Sequence, residues 1–172
     1  MSTPSTAWHL VYLALGSNLG IRSKNLENAR NALEMQGWLR DSSSIYETPP
    51  WGIVDQPAFL NQVVRIETSF SPVKLLSFLK RLEIQLGRTP AEKYGPRLID
   101  IDILFYNNKV IDRRKLKIPH PRLAERAFVL VPLADLAPQL RHPVNHKSIS
   151  EMLNLVDISG IRRYPTRAGS KG

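Results

Sequence analysis

Residues 98–106, LIDIDILFY, are the most apolar and most strand-like stretch of the chain, yet they hold two acids, Asp100 and Asp102. Side chains alternate across a strand, so Ile99, Ile101 and Ile103 share one face and the two aspartates share the other. One face must therefore meet a hydrophobic layer. The other must meet something that compensates two carboxylates, because an unpaired buried charge is very costly. At a rise of about 3.3 Å per residue, the two Cα atoms lie roughly 6–7 Å apart. Carboxylates at that spacing can converge on one cation or bridge two. A hard-metal site fits, and oxygen-only ligands favour Mg²⁺ over zinc. A solvated sheet face whose aspartates pair with arginines also fits. Strands are poor in aspartate, which weighs against the second reading without removing it.

The flanking residues bear on that choice. Arg88, Lys93 and Arg97 precede the acidic strand in the loop RTPAEKYGPR (88–97). The planar fork of arginine meets phosphate oxygens in pairs. Acids that hold Mg²⁺ beside such arginines suit phosphoryl-type transfer.

Elsewhere, HLVYLALGSN (9–18) reads as a buried strand ending in a turn, and 23–36 as a helix through Leu26, Ala29, Ala32 and Leu33. Residues 38–48 read as one strand, 48–57 as a proline-rich loop and 58–68 as an alternating strand. In 71–87, Ser71 is placed to cap a helix, Pro72 sits in its first turn and Gly87 follows its end. A turn and short strand follow at 107–112, then a helix within 120–138 and a last short helix at 148–156. The order strand–helix–strand–strand–helix–strand predicts an α+β, ferredoxin-like sandwich: a mostly antiparallel sheet, helices on one face and C-terminal additions.

At 172 residues the chain suits a single domain (1–172) with a sizeable core. Residues 1–9 read as an N-terminal extension without the layout of a secretory signal. No run approaches the ~18 apolar residues of a membrane span. There is no cysteine, hence no disulfide or thiolate metal site. A cytoplasmic protein with no membrane partner is expected. Lysine and arginine number 24 against 15 acids, a net charge of +9, which favours anionic partners such as nucleotides. Part of that excess sits in 161–172, IRRYPTRAGSKG, which reads as a flexible basic tail.

Four motifs stand in one order: ALGSN, YETPPWG, GPRLIDIDIL and IPHPRLAERAFVLVPLADLAP. From about Val11 to Pro143 the sequence resembles the 6-hydroxymethyl-7,8-dihydropterin pyrophosphokinases of folate biosynthesis. The resemblance implies transfer of pyrophosphate from ATP to the pterin hydroxymethyl group, with AMP leaving. It implies that Asp100 and Asp102 hold two Mg²⁺ ions. Arg88 and Arg97 become catalytic phosphate contacts, with Arg88 on a loop that closes over ATP. Glu83, Ile103, Lys115, His120 and Arg126 are assigned to the ATP site. Phe59 and Phe128 are expected to sandwich the pterin. Asn61, Gly16, Thr48, Pro49, Trp51 and Asp100 complete that pocket. A monomer without nucleic-acid partners is implied.

The chain departs from the family pattern in the closing loop, where Pro90 replaces a second arginine and one residue is missing. Tyr94 stands where tryptophan is common, and Pro121 follows His120 where an aromatic can occur. The competing function is a ferredoxin-like RNA-binding module, which requires aromatics on an open sheet face. A catalytically silent homologue is a third outcome.

Overall fold

The structure, a computed structural model, describes residues 7–50, 55–89 and 95–166. Its centre is an antiparallel sheet. The apolar β1 (His9–Ser17) lies between β4 (Phe59–Thr68) and β5 (Asp100–Tyr106). The ten-residue β4 is long enough to pair with two further strands. Its C-terminal half takes β2 (Leu39–Ser42) and its N-terminal half takes β3 (Tyr46–Thr48).

The single strand expected over 38–48 is thus two. The break is at Ser43, whose hydroxyl accepts from the Val63 N–H at 3.0 Å while its own N–H donates to Val63 O at 2.9 Å. A side chain takes the place of a backbone acceptor there, and the ladder is interrupted.

Helix α1 (Arg22–Met35) and helix α2 (Pro72–Gln85) cover one sheet face. Val11, Leu13, Leu15, Leu60, Val64, Ile66, Ile99, Ile101 and Ile103 meet Leu26, Leu33, Leu75 and Leu79 there, all buried. Ser71 caps α2, accepting from the Lys74 N–H at 3.3 Å, with Pro72 at the first helical position. Gly87 ends it at φ +103°, a conformation that only glycine adopts without strain.

The expectation that helices pack on one face only is corrected. Strand β5 leads through a hairpin of β6 (Ile111–Arg113) and β7 (Leu116–Ile118) and a 3-10 turn at Leu123–Glu125 to α3 (Ala127–Leu136). Helices α3 and α4 (Ile149–Leu153) pack on the opposite face against Tyr12, Val63, Leu104 and Phe105. Leu104 reaches that face by alternation from Asp100 and Asp102, and the β1–β5 register shifts at Tyr12/Leu13. The shift breaks the strict alternation of β5, so Leu104 and Phe105 both join this second core. The architecture is α+β with an antiparallel sheet between helices.

The expected tail from 161 is also corrected in part. Arg162–Arg163 form β8, which pairs with β3, and the Tyr164 N–H donates to Ile45 O at 2.8 Å. Among the described residues, no helix is long and apolar enough to cross a membrane.

Candidate active site

Helix α3 covers only half of the second sheet face. Its other half is the floor of a cleft of about 260 Å³. The register sets the order of side chains on that floor. Asp100 pairs with Gly16, Gly16 with Asn61, and Asn61 with Tyr46, one row across β5, β1, β4 and β3. In the next row Asp102 pairs with Ala14, and Ala14 with Val63. Between acids and amide, β1 thus presents only hydrogen and a methyl group, and the floor stays open.

The acids stand at one end. Asp100 has a carboxyl raised above the ordinary carboxylate range, first by burial and then by the charge of Asp102, with Arg88, Arg97 and Lys80 opposing. Asp102 is likewise raised by burial and by Glu83, against Lys80, Arg126 and Arg88. The local cations leave both groups short of compensation. A divalent cation would reverse that balance, and an all-oxygen pair suits Mg²⁺, which fills its remaining positions with water and phosphate. No group of three or more acids or histidines placed for a metal occurs among the described residues, so this donor set offers two carboxylates.

The reading of Asp100 as an arginine-paired acid is partly realised as well. Arg88 Nη1 lies 3.2 Å from Asp100 Oδ1 and 2.5 Å from Glu83 Oε2. Glu83 is 1% exposed, not a surface helix acid. Its carboxylate also accepts from the Ile101 N–H at 3.0 Å and faces Lys80 Nζ at 3.3 Å. Glu83 sits behind the cleft wall, where it fixes Arg88 against the acidic strand.

Arg97 is placed through its backbone. Its N–H donates to Asn18 Oδ1 at 2.7 Å, and its carbonyl accepts from the Asn18 N–H at 2.9 Å. Asn18 Nδ2 donates to Gln56 Oε1 and to Pro57 O, so this one residue ties together the two loops beside the cleft. His120 and Arg126 line the cleft too. Burial, then Arg126 and Arg122, hold the His120 imidazole down to about 4. It is neutral at pH 7. Its Nδ1 accepts from the Arg122 N–H at 3.3 Å, so Nε2 carries the proton and can donate to an oxyanion.

The other end is a slot with two aromatic residues in its lining. Phe59, Phe128, Thr48, Pro49 and Asn61 line it. Asn61 Nδ2 donates to Thr48 Oγ1 at 2.7 Å, which orients the amide. A Cβ on Gly16 would lie 3.0 Å from Asn61 Oδ1, so glycine is needed for that placement. The Arg126 guanidinium stands 5.5 Å from the Phe128 ring centroid, which joins the two ends. Asp135 of α3 accepts from Tyr46 Oη at 2.8 Å and from the Ser44 N–H at 3.2 Å, fastening β3 to the helix that carries Phe128. Burial and that carboxylate push the Tyr46 phenol up to about 12.

The fold therefore gathers Arg88, Arg97, Asp100, Asp102, His120, Arg126, Gly16, Thr48, Pro49, Phe59, Asn61 and Phe128 around one cleft. Ile103 faces the first core instead, and Lys115 is exposed at the turn of the β6–β7 hairpin. Trp51, Pro90, Lys93 and Tyr94 lie outside the described residues. Among the cleft residues that escaped the sequence reading, Lys80 and Ala14 matter most. Lys80 stands one turn before Glu83 on α2, a spacing that could have revealed it. Ala14 carries no chemical signal in sequence and matters only for its size.

Residues 12–138 match the family described as 7,8-dihydro-6-hydroxymethylpterin-pyrophosphokinase. The 2-amino-4-hydroxy-6-hydroxymethyldihydropteridine pyrophosphokinase of Pseudomonas aeruginosa is 40% identical over 157 residues, covering 90% of this chain and 96% of that protein. The folic acid synthesis protein FOL1 of Dictyostelium discoideum is 41% identical over 158 residues, 91% of this chain. This chain spans 24% of that relative's length. A crystal structure of Plasmodium falciparum HPPK-DHPS with pteroate superposes with a TM-score of 0.70 at 18% identity, over 87% of this chain and 42% of that one. This likeness concerns the fold alone.

Proposed function

The chain belongs to the 7,8-dihydro-6-hydroxymethylpterin-pyrophosphokinase family, and from that premise we propose that it transfers pyrophosphate from ATP to 6-hydroxymethyl-7,8-dihydropterin. The hydroxymethyl oxygen attacks the β-phosphorus, the bond between the β-phosphorus and the α,β-bridging oxygen breaks, AMP leaves, and the hydroxyl proton passes to solvent. One observation carries the reading: the row Asp100–Gly16–Asn61 joins an acidic, arginine-lined end to a slot lined by Phe59 and Phe128 across a single open sheet face.

Asp100 and Asp102 would hold two Mg²⁺ ions. When bound, these neutralise the triphosphate and assist ionisation of the attacking hydroxyl. Arg97 and Arg126 contact phosphate oxygens. Among the described residues Arg88 engages Glu83 and Asp100 through Nη1, so its other guanidinium donors can meet phosphate. His120 donates one neutral hydrogen bond from Nε2. Phe59 and Phe128 stack on the pterin, and Asn61 meets its edge with a donor and an acceptor. Thr48 and Pro49 wall the slot, and Trp51, outside the described residues, is assigned to the pterin by the family resemblance. Glu83 serves the ATP site indirectly, by holding Arg88. Ile103 and Lys115 are read as backbone or peripheral ATP contacts.

The enzyme is read as a cytoplasmic monomer with a ferredoxin-like core and no nucleic-acid or membrane partner. An RNA-binding surface fits poorly, since α3 and α4 cover half of the sheet face and the rest is the floor of a cleft that carries two acids, which would repel phosphates without a metal. The test is incubation with ATP, Mg²⁺ and 6-hydroxymethyl-7,8-dihydropterin. The expected products are AMP and the pterin diphosphate in equal amounts. Formation of ADP, or of no AMP, would refute the reading.

A further inference from the structure

The pterin slot has one wall whose support comes from the C-terminal segment. Thr48 and Pro49 form that wall at the end of β3, a strand of only three residues. Proline has no N–H, so hydrogen bonding from its nitrogen cannot fix Pro49. Packing has to place it. Gly160 supplies that contact: it stands at φ +83°, and a Cβ there would lie 3.1 Å from Pro49 Cγ and 3.6 Å from Pro49 Cδ. Just beyond it, β8 pairs Arg163 with Tyr46 and Arg162 with Glu47, and Tyr164 bonds Ile45 O.

Helix α1 locks the arrangement from the other side. Arg22 pairs with Glu47 at 2.8 Å, donates to Ala58 O at 3.0 Å and stands 5.9 Å from the Tyr164 ring centroid. Thr48, Pro49 and Phe128 also line a second cavity, whose far side is Val156, Asp157, Ser159 and Ile161. The slot wall is therefore a thin partition with the C-terminal segment behind it. That segment lies beyond the family match, which ends at residue 138.

We propose that residues 156–164 form a brace that sets the position of Thr48 and Pro49, and with it the width of the ring slot. Gly160 and Tyr164 are then positioning residues for the pterin. This rests on the reading that the slot takes a pterin. Among the described residues, the hydrogen bonds that join the brace to the sheet go to β3 and not to the acidic strand.

The test compares wild type, a truncation after Ser159, Gly160→Ala and Tyr164→Phe. Pterin affinity is titrated with 6-hydroxymethyl-7,8-dihydropterin, in the presence of Mg²⁺ and an ATP analogue carrying a methylene bridge between the α- and β-phosphorus. Affinity for that analogue is measured alone, and amide hydrogen exchange is followed at residues 46–48. The truncation and Gly160→Ala are expected to weaken pterin binding about tenfold with analogue affinity kept within twofold. Exchange at 46–48 should quicken at least tenfold in the truncation. Tyr164→Phe, which keeps the ring under Arg22, should match wild type. Unchanged pterin affinity and exchange would overturn the brace, as would parallel loss of both ligands. If exchange quickens but wild type binds no pterin, the brace holds and the assignment of the slot to a pterin falls.

Discussion

Replacing Gly16 by alanine adds one methyl group where the cleft has no room for it. The new Cβ would sit 3.0 Å from Asn61 Oδ1 and 3.8 Å from Phe59 Cδ1. The second distance is an ordinary contact and leaves the ring alone. The first forces the amide to retreat by about 0.4 Å, because carbon–oxygen contacts settle near 3.4 Å or beyond. Asn61 is held by one 2.7 Å bond to Thr48. Weakening that bond costs about 1 kcal/mol, and misplacing the amide against the pterin edge costs about as much again. The sum, about 2 kcal/mol, corresponds to a rise of about thirtyfold in the KM for the pterin. Folding stability should respond differently. Alanine in a strand loses less backbone entropy than glycine, a gain of about 0.5–1 kcal/mol that offsets the crowding. Net stability should stay within about 1 kcal/mol. Steady-state AMP formation at saturating ATP measures the first quantity, and urea denaturation the second. An unchanged pterin KM, or an equal rise in the KM for ATP, would show that the Gly16–Asn61 approach does not shape the slot.

Asp100→Ala and Asp102→Ala should each reduce pyrophosphoryl transfer nearly to background while leaving circular dichroism unchanged; full activity in either variant would remove that residue from the metal site. Arg88→Ala should lower turnover more than pterin affinity. It should also cost about 1–3 kcal/mol of stability, because the buried Glu83 carboxylate loses its closest partner; equal loss of turnover and pterin binding would contradict this. Stability against pH in the metal-free protein separates two opposed contributions. The Asp100 and Asp102 carboxyls are raised in the folded state, so their contribution is fully present below the ordinary carboxylate range and is lost as pH rises through the raised values. His120 is held at about 4 against 6.5, so its contribution is present above about 6.5 and is lost as pH falls toward about 4. His120→Gln should flatten the acid side of the urea-midpoint profile between those values, and Asp102→Asn should flatten the other; a profile that neither variant changes would refute both assignments.

Much of this was written in the order of residues. The α2 signals at Ser71, Pro72 and Gly87 are local, and local rules suffice to place that helix. The alternation in 98–106 places both aspartates on one face, because strand geometry leaves no other arrangement. The motifs around Asp100, His120 and Phe128 carry the family, since chemistry at such a site tolerates few residue types. Other features were not legible. Glu83 looks like any acid on an exposed helix until α2 packs against β5 and its carboxylate caps the Ile101 N–H. Ser43 looks like a strand residue until its hydroxyl replaces a backbone acceptor. Residues 161–164 look like a basic tail until β3 offers them an unpaired edge.

The local pattern of apolar and polar residues settled where the long strands and the main helices lie and that two acids share one strand face, because those depend on neighbours a few positions away. Only the tertiary structure decided that β1 separates the acidic strand from the amide-bearing one, that α3 covers half of their shared face, and that a C-terminal strand closes the far edge. Those outcomes depend on strand register between segments as much as a hundred residues apart, and register is set when two apolar faces find one core.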